Sequence, residues 1–133
     1  MFEVDEKPRR AILLAVQQQG VTDEELTNSL QELRQMARTL GIEVIDTLTQ
    51  KRGKFDKAAY LGTGKREELK ERLGDPKNPA CELLLTEHEI SPSQMRTLEK
   101  ETGCEVLDRT QVNLEIFHLH ARSRAAKAQV EIV

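Results

Sequence analysis

Apolar residues recur along this chain with two periods, and the two periods predict alternating strands and helices. Residues 11–16 form an unbroken apolar run, typical of a strand that is buried on both faces of a parallel sheet. Residues 22–25 form a capping-box sequence, after which leucines and an alanine recur at helical spacing until Gly41. This part of the chain therefore predicts a central strand followed by an amphipathic helix.

The alternation continues in the middle of the chain. Residues 42–49 alternate in polarity and are rich in β-branched side chains, which predicts a second strand. Residues 50–60 are rich in lysine and predict a long, mobile loop. Residues 67–73 predict a short helix that ends at Gly74, and residues 81–86 predict a third strand.

A complete helix signal follows the third predicted strand. Ser91 is a natural N-cap, Pro92 suits the first helical position, and Gln94 stands where a capping-box side chain reaches back. Gly103 supplies the left-handed residue that ends such a helix, and residues 104–107 predict a fourth strand. We therefore assign structural roles to Ser91, Pro92 and Gln94.

The last segment predicts one long helix. Residues 110–133 contain no glycine or proline and place apolar side chains on one stripe. At ~1.5 Å per residue, such a helix reaches well beyond a small sheet. Together the elements predict an α/β fold, in which residues 1–109 form a small four-stranded parallel sheet with helices on both faces and residues 110–133 form a long projecting helix.

The composition is that of an ordinary single domain, with one local departure in charge. The chain has 133 residues, of which 38% are apolar and 32% are charged, and its net charge is −3. The net charge of the whole chain therefore gives no indication of a nucleic-acid partner. In residues 51–66, however, six cationic residues face one acidic residue, Asp56. A solvated loop commonly explains such a run, and a phosphate-binding patch is the alternative.

The sequence gives no sign of a membrane segment. Its longest apolar run, residues 11–16, is far shorter than the ~20 residues that span a bilayer, and its first residues lack the layout of a signal peptide. We therefore expect a cytoplasmic protein that makes no membrane contact. In that setting Cys81 and Cys104 are interpreted as small buried thiols, although neighbouring strands could bring them close enough for a disulfide.

Several motifs in this chain resemble the amino-terminal domain of the HflX family of GTPases. They are Tyr-Leu-Gly-Thr-Gly-Lys at residues 60–65, the helix unit at residues 89–110, Asn-Leu-Glu-Ile-Phe at residues 113–117 and Gln-Val-Glu at residues 129–131. The resemblance implies that this α/β domain and a long helical hairpin precede a G domain. Residues 110–133 would be the first arm of the hairpin, and the second arm and the G domain are absent from this sequence.

The resemblance also implies a function and its partners. Proteins of this family bind the large ribosomal subunit, and the whole protein would split or rescue stalled ribosomes. The G domain would bind GTP and magnesium and hydrolyse GTP, so we expect neither a cofactor nor a catalytic residue in the present chain. A purely structural module, which positions the G domain or self-associates through the exposed stripe of the last helix, is an alternative.

Cationic side chains are the candidate contacts to ribosomal RNA, because phosphate contacts need positioned positive charge. On the last helix, histidines, arginines and a lysine occur without an acidic residue between Glu115 and Glu131. A solvated flank of a coiled coil would explain them equally well. The candidate contacts are Lys51, Arg52, Lys54, Lys65, Arg66, His120, Arg122, Arg124 and Lys127.

The segment around Gly62, Gly64 and Lys65 invites comparison with phosphate-binding loops. It is not a P-loop, because that motif needs a glycine at the position of Ala59 and a serine or threonine at that of Arg66. Our first interpretation is a tight turn that caps the short helix. An anion site for RNA phosphate comes second, and a site for a nucleotide such as ATP comes third.

Two corners near strand ends complete the set of candidates. Asp108 and Arg109 are expected to fix the junction between the fourth strand and the last helix, through an ion pair or hydrogen bonds. Glu87 and His88 could suggest a metal or an acid–base pair, but adjacent residues at a strand end point in different directions. Members of the resembled family commonly have two acidic residues at these positions, so His88 is a departure from the family pattern. We predict no metal site.

Overall fold

The chain forms an α/β fold of four strands and four helices. The structure is a computed structural model that describes residues 8–132, and it describes side chains as far as residue 125. In chain order the elements are β1 (Arg10–Gln17), α1 (Asp23–Thr39), β2 (Glu43–Lys51), α2 (Thr63–Leu73), β3 (Leu83–Thr86), α3 (Pro92–Thr102), β4 (Glu105–Asp108) and α4 (Arg109–Ile132).

The four strands form one parallel sheet in the order β2-β1-β3-β4. The predicted fold class is therefore confirmed, and β1 is central because both of its edges are hydrogen-bonded. A register shift between Ala11 and Ile12 leaves Ile45 of the edge strand β2 40% exposed. Such a bulge locally bends an edge strand.

Alternate residues of β1 face two separate cores. Ala11, Leu13 and Ala15 pack in one core with residues of α1 and α4, whereas Ile12, Leu14 and Val16 pack in the other with residues of α2 and α3. This two-sided burial explains why the sequence of β1 is continuously apolar. Helices cover both faces of the sheet, as predicted.

Local sequence determines where two of the helices begin. Thr22 and Glu25 form the capping box of α1, and Ser91 and Gln94 form that of α3, with Pro92 at its first position. Gly103 ends α3 at a φ of 76°, in the left-handed region that glycine adopts without steric cost. The structural roles predicted for Ser91, Pro92 and Gln94 are therefore confirmed.

The region between β2 and α2 differs from the prediction. Strand β2 continues to Lys51, and α2 begins at Thr63, four residues before the predicted start, with Gly62 as its N-cap. The intervening segment is organised by an antiparallel bridge between Asp56 and Tyr60. The loop predicted for residues 50–60 therefore lies at residues 52–62 and is anchored.

Helix α4 begins directly after β4 and is buried only near its start. Val112 is fully buried and Ile116 packs against the core of α1, whereas Leu114 is 50% exposed and Phe117 is 62% exposed. The division of the chain at residues 109 and 110 stays a prediction. None of the helices in residues 8–132 combines the length and the apolar character needed to cross a membrane.

Candidate nucleic-acid interface

The loop at residues 52–62 crosses the carboxyl edge of the sheet and is fastened there by Tyr60. The main-chain N–H of Val16, near the end of β1, donates to the Tyr60 hydroxyl at 3.0 Å. The same hydroxyl lies 2.8 Å from Nδ1 of His88, just beyond the end of β3. Tyr60 therefore bridges the ends of two neighbouring strands. Burial raises the pKa of this phenol, so it remains protonated at neutral pH.

The backbone of Tyr60 is strained. Its φ is 71°, and it is the one residue other than glycine with a positive φ in the part of the chain that the structure describes. A bulky residue in this region costs of the order of 1–3 kcal/mol unless its surroundings enforce it. Here the complete burial of the ring and the two contacts of its hydroxyl supply that enforcement.

Asp56 organises the loop from within. One of its carboxylate oxygens accepts hydrogen bonds from the main-chain N–H groups of Ala58 and Ala59, both at 2.9 Å. The carboxylate also lies 3.7 Å from the guanidinium of Arg52 and 3.6 Å from that of Arg66. Burial alone would raise the pKa of Asp56, but the two N–H groups and the two arginines together hold it below its ordinary value.

Two further contacts attach the loop to the sheet and to α3. The side-chain amide of Gln94 donates to the carbonyl of Asp56 at 2.9 Å, in addition to its capping role. The N–H of Gly62 donates to Oε1 of Gln50 at 2.9 Å. A Cβ at Gly62 would lie 2.8 Å from a guanidinium nitrogen of Arg52, so a larger residue at this position would displace the end of that side chain.

An aromatic cluster of Phe55, Tyr60 and His88 lies where the loop is attached to the sheet. The ring of Phe55 lies edge-on to that of Tyr60, with 5.0 Å between centroids, and its centroid is 4.7 Å from that of His88. Tyr60 is buried, whereas Phe55 is partly buried and the His88 side chain is 31% exposed. The outer surface of the cluster therefore consists of Phe55 and His88.

His88 is held close to a carboxylate that has no hydrogen-bond partner. Oε1 of Glu87 is buried without a hydrogen bond and lies 3.7 Å from Nδ1 of His88. Burial lowers the pKa of His88, Glu87 opposes this effect, and the positive charge of Arg109 adds to it, so the net pKa is below its ordinary value. The imidazole is therefore neutral at physiological pH.

Three exposed lysines surround this edge of the sheet. Lys51, Lys54 and Lys57 are exposed, and none of them forms an ion pair with the residues that the structure describes. Lys51 and Arg52 also line an open groove of about 600 Å³ between the carboxyl ends of β1 and β2. The cluster of positive charge predicted from residues 51–54 is thus at the surface, with only Arg52 paired.

Lys65 and Arg66 lie in a different environment. Lys65 is in the first turn of α2, where its ammonium group is 3.0 Å from Glu68. The Arg66 side chain is 11% exposed, and its guanidinium contacts Glu101 at 2.9 Å as well as the carbonyl of Leu61. Through these bonds Arg66 stabilises the fold.

The glycine segment is part of a helix rather than a phosphate-binding loop. Gly62 is the N-cap of α2, and Thr63, Gly64 and Lys65 belong to its first turn. This geometry agrees with a turn that caps the short helix. Among the described residues, no group of three or more histidine, cysteine, aspartate or glutamate side chains is arranged to hold a metal ion.

The cations of α4 lie at the opposite edge of the sheet. Arg122 lines a cavity of about 310 Å³ with Arg9 and Glu105, which lie at the amino ends of β1 and β4. His120, Arg122 and Arg124 are exposed, whereas the side chain of Lys127 lies outside the described residues. The structure therefore does not bring these residues together with Lys51 and Lys54.

Asp108 and Arg109 fix the start of α4 through separate partners. The Asp108 carboxylate accepts from the N–H of Gln111 at 2.9 Å and from the N–H of Ile90 at 3.2 Å. Arg109 donates to the carbonyl of Glu87 at 3.0 Å and forms an ion pair with Glu32. The junction is thus held by hydrogen bonds, and the ion pair that Arg109 makes is with α1.

The two cysteines are free thiols beside each other in the core between the sheet and helices α2 and α3. Cys81 is fully buried and Cys104 is 3% exposed. The Cys104 thiol lies 3.5 Å from the carbonyl oxygen of Cys81. The Cys81 thiol donates to the carbonyl of Leu83 at 3.3 Å, and the proximity of Cys81 lowers the pKa of Cys104 below its ordinary value. The structure therefore agrees with the interpretation of small buried thiols.

Sequence reasoning missed the residues that hold the loop. The segment Asp56-Lys57-Ala58-Ala59 is compatible with an Asx-type turn, which was a usable local signal. The position of Tyr60 depends on contacts with Val16 and His88, far away in sequence, and no local pattern indicates them.

Residues 27–118 match the family described as GTP-binding GTPase N-terminal, and the chain belongs to that family. Relatives named GTPase HflX include those of Alkalihalophilus pseudofirmus, 36% identical over 99% of this chain, and Caldanaerobacter subterraneus subsp. tengcongensis, 38% identical over 99%. The resemblance to the amino-terminal domain of HflX is thereby confirmed.

The match covers only part of each relative. The chain spans 30% of the Alkalihalophilus protein and 29% of the Caldanaerobacter protein. A GTP-binding protein from Sulfolobus solfataricus in complex with GDP has a similar structure, with a TM-score of 0.57 and 18% identity, over 81% of this chain and 30% of that one. At this identity the likeness supports the fold alone.

Proposed function

We propose that this chain is the ribosome-binding amino-terminal domain of an HflX-type GTPase that acts on the large ribosomal subunit in the cytoplasm. The observation that carries the proposal is the set of Lys51, Lys54 and Lys57, which are exposed and form no ion pair among the described residues, in a chain whose net charge is −3. Concentrated surface cations without carboxylate partners remain free to neutralise RNA phosphates.

The exposed cations of α4 form a second contact in this proposal. Arg122 and Arg124 lie at the edge of the sheet opposite the lysines, so the domain presents positive charge at two separated places. Folded RNA offers phosphates on several neighbouring strands, and two patches on a rigid domain can fix its orientation better than one.

The remaining functions of the HflX-type protein belong to the part of the relatives that this chain does not cover. We infer that GTP and magnesium bind there, in the G domain, and that GTP hydrolysis drives the splitting or rescue of stalled ribosomes. The present chain supplies recognition of RNA. Nucleotide binding at Gly62, Gly64 and Lys65 is a weaker candidate, because Lys65 is paired with Glu68 and the N–H of Gly62 donates to Gln50.

Co-sedimentation with purified large ribosomal subunits over a salt series tests this proposal. One variant combines Lys51→Gln with Lys54→Gln, another combines Arg122→Gln with Arg124→Gln, and a control combines Lys77→Gln with Lys100→Gln. Each test variant should weaken binding and reduce the slope of log affinity against log salt by about 1.5, the value expected for two phosphate contacts. The control, with the same change in charge, should bind like the parent chain.

The alternatives give different results. Binding that is equal in all three variants would show that charge at these two places does not recognise the ribosome. Self-association through α4 would appear as a dimer in sedimentation velocity that Phe117→Asp disrupts without loss of ribosome binding. Saturable ATP binding that Lys65→Ala abolishes would support the nucleotide site.

A further inference from the structure

The crevice where open α/β sheets usually bind ligands is filled in this protein. Strands β1 and β3 are neighbours, yet the helices that follow them, α1 and α3, pack on opposite faces of the sheet. The carboxyl ends of such a strand pair form a crevice that commonly holds a ligand. Here the side chain of Tyr60 occupies it, because its hydroxyl contacts Val16 and His88. A ligand at this position must therefore rest on the surface above Tyr60.

The strained backbone of Tyr60 indicates that this residue positions a functional group at the crevice. The backbone of Tyr60 has a φ of 71°, a conformation that glycine adopts without steric cost and tyrosine does not. Strained residues concentrate where they position functional groups. The group that Tyr60 positions is the imidazole of His88, whose ring also contacts Phe55.

The hydrogen bonds of Tyr60 determine which nitrogen of His88 has the proton. The N–H of Val16 donates to the Tyr60 oxygen, and among the described residues Nδ1 of His88 is the acceptor within reach of the buried hydroxyl hydrogen, which is therefore satisfied when it points to Nδ1. Nδ1 is then the acceptor, and the neutral imidazole has its hydrogen on Nε2. The partly exposed ring therefore presents a fixed N–H donor beside the ring of Phe55.

The surroundings favour an anionic ligand with an aromatic group. Lys54 and Lys57 flank Phe55 in the sequence and are exposed without ion pairs among the described residues. An aromatic surface bordered by cations is the arrangement that holds single-stranded nucleic acid, in which a base stacks on a ring and lysines contact the adjoining phosphates. A paired base inside a duplex cannot expose its face to such a surface.

We propose that Phe55 and His88 form a subsite for one unpaired nucleobase of RNA, with Lys54 and Lys57 on the adjoining phosphates. This inference rests on the proposed function, which it deepens by assigning recognition of a single-stranded segment to the carboxyl edge of the sheet. Nε2–H of His88 donates to a carbonyl oxygen or ring nitrogen of the stacked base.

Fluorescence anisotropy with labelled oligoribonucleotides tests the subsite. The probes are an oligoadenylate and an oligouridylate of about ten nucleotides, the length that one such site accommodates, and a blunt RNA duplex of equal length. Phe55→Leu should weaken single-strand binding about tenfold, the usual effect of losing one stacked base, and should leave duplex binding unchanged. Phe55→Tyr, which keeps an aromatic ring, should restore it.

A second measurement on the parent chain makes the test independent of the stability of the variant. When the single strand is added, the NMR signals of the Phe55 ring protons should shift upfield because a base stacks on this ring, and the ring signals of His88 should shift because its Nε2–H donates to the base. Unchanged ring signals, or equal losses of single-strand and duplex binding in Phe55→Leu, would overturn the subsite.

The two proposals can fail separately. If Phe55→Leu co-sediments with large subunits like the parent chain and binds single strands equally well, the subsite is wrong and the ribosome-binding proposal stands. If the parent chain binds oligonucleotides but not large subunits, the ribosome-binding proposal is wrong and the subsite stands.

Discussion

Arg109, the first residue of α4, donates from one guanidinium nitrogen to both the carbonyl and the hydroxyl of Ser29 in α1, at 2.9 and 2.8 Å. The same guanidinium contacts the carbonyl of Glu87 and the carboxylate of Glu32. A planar group with five donors can make all of these bonds at once, and an ammonium group cannot. The two helices on this face of the sheet are thus joined where α4 begins.

Replacement of Arg109 by lysine should lower the free energy of unfolding by about 2 kcal/mol, because several charge-assisted hydrogen bonds are lost while a positive charge remains. The measurement is urea unfolding followed by circular dichroism, with an unchanged m-value. Arg38→Lys, at an exposed position of α1, is the matched control and should have little effect. Equal midpoints for the two variants would show that the contacts with Ser29 contribute nothing.

Ser91→Ala should lower the free energy of unfolding by about 1 kcal/mol, the usual effect of losing an N-cap side chain. The Ser91 hydroxyl accepts from the N–H of Gln94 at 3.1 Å, and this bond starts α3. Thermal unfolding of the variant beside Ser123→Ala, an exposed serine within α4, provides the comparison. A larger loss in Ser123→Ala than in Ser91→Ala would contradict the capping role.

Stability should decrease on acidification through the protonation of His88. The pKa of His88 in the folded protein lies below the ordinary value of 6.5, so below about pH 6.5 the unfolded chain binds this proton more readily than the native state does. The contribution is therefore complete above that pH and is lost as the pH falls. The groups that act on the imidazole are Glu87, Arg109 and the Tyr60 hydroxyl.

Urea midpoints measured between about pH 7.5 and about pH 5.5, on either side of the ordinary histidine pKa, check this expectation. The parent chain should lose more stability over this range than His88→Gln, which cannot be protonated. The exposed histidines of α4 are present in both proteins, so they cancel in the comparison. Parallel curves would show that the environment of His88 does not disfavour its charged form.

The thiols of Cys81 and Cys104 should not react with Ellman's reagent in the native protein. Cys81 is fully buried and Cys104 is 3% exposed, so the reagent cannot reach either sulfur in the native protein. In denaturant both cysteines should react rapidly. Fast reaction under native conditions would show that the core around β3 and β4 opens readily.

Elements that the sequence predicts well are those whose signals are local. The apolar run of β1 and the capping boxes at Thr22 and Ser91 act within a few residues, and these elements lie where they were predicted. The start of α2 was missed because Gly62 and Gly64 have low helix propensity and suggest a turn. In the structure Gly62 is an N-cap, and long-range contacts with Gln50 place it there.

The candidate site was predicted by residue type but not by position. Exposed cations occur at Lys51, Lys54, Arg122 and Arg124, as the charge pattern indicates. Their separation depends on the direction of α4, which returns along the sheet from the carboxyl edge towards the amino edge. Neither that direction nor the place of Tyr60 in the crevice follows from local sequence, because both depend on the order of the strands.

Helix α4 is attached to α1 by its first residue, Arg109, so the angle of the helix at this point decides where its far end lies. It has 24 residues, so it is about 36 Å long, and a rotation of about 5° at its base displaces the far end by about 3 Å. The bonds of Arg109 to Ser29 and Glu32 lie at the base of α4. The aromatic cluster is close to this base, because Arg109 also contacts the carbonyl of Glu87, next to His88. The direction set by these bonds at the carboxyl edge therefore determines, to within a few ångströms, where the other end of the helix lies.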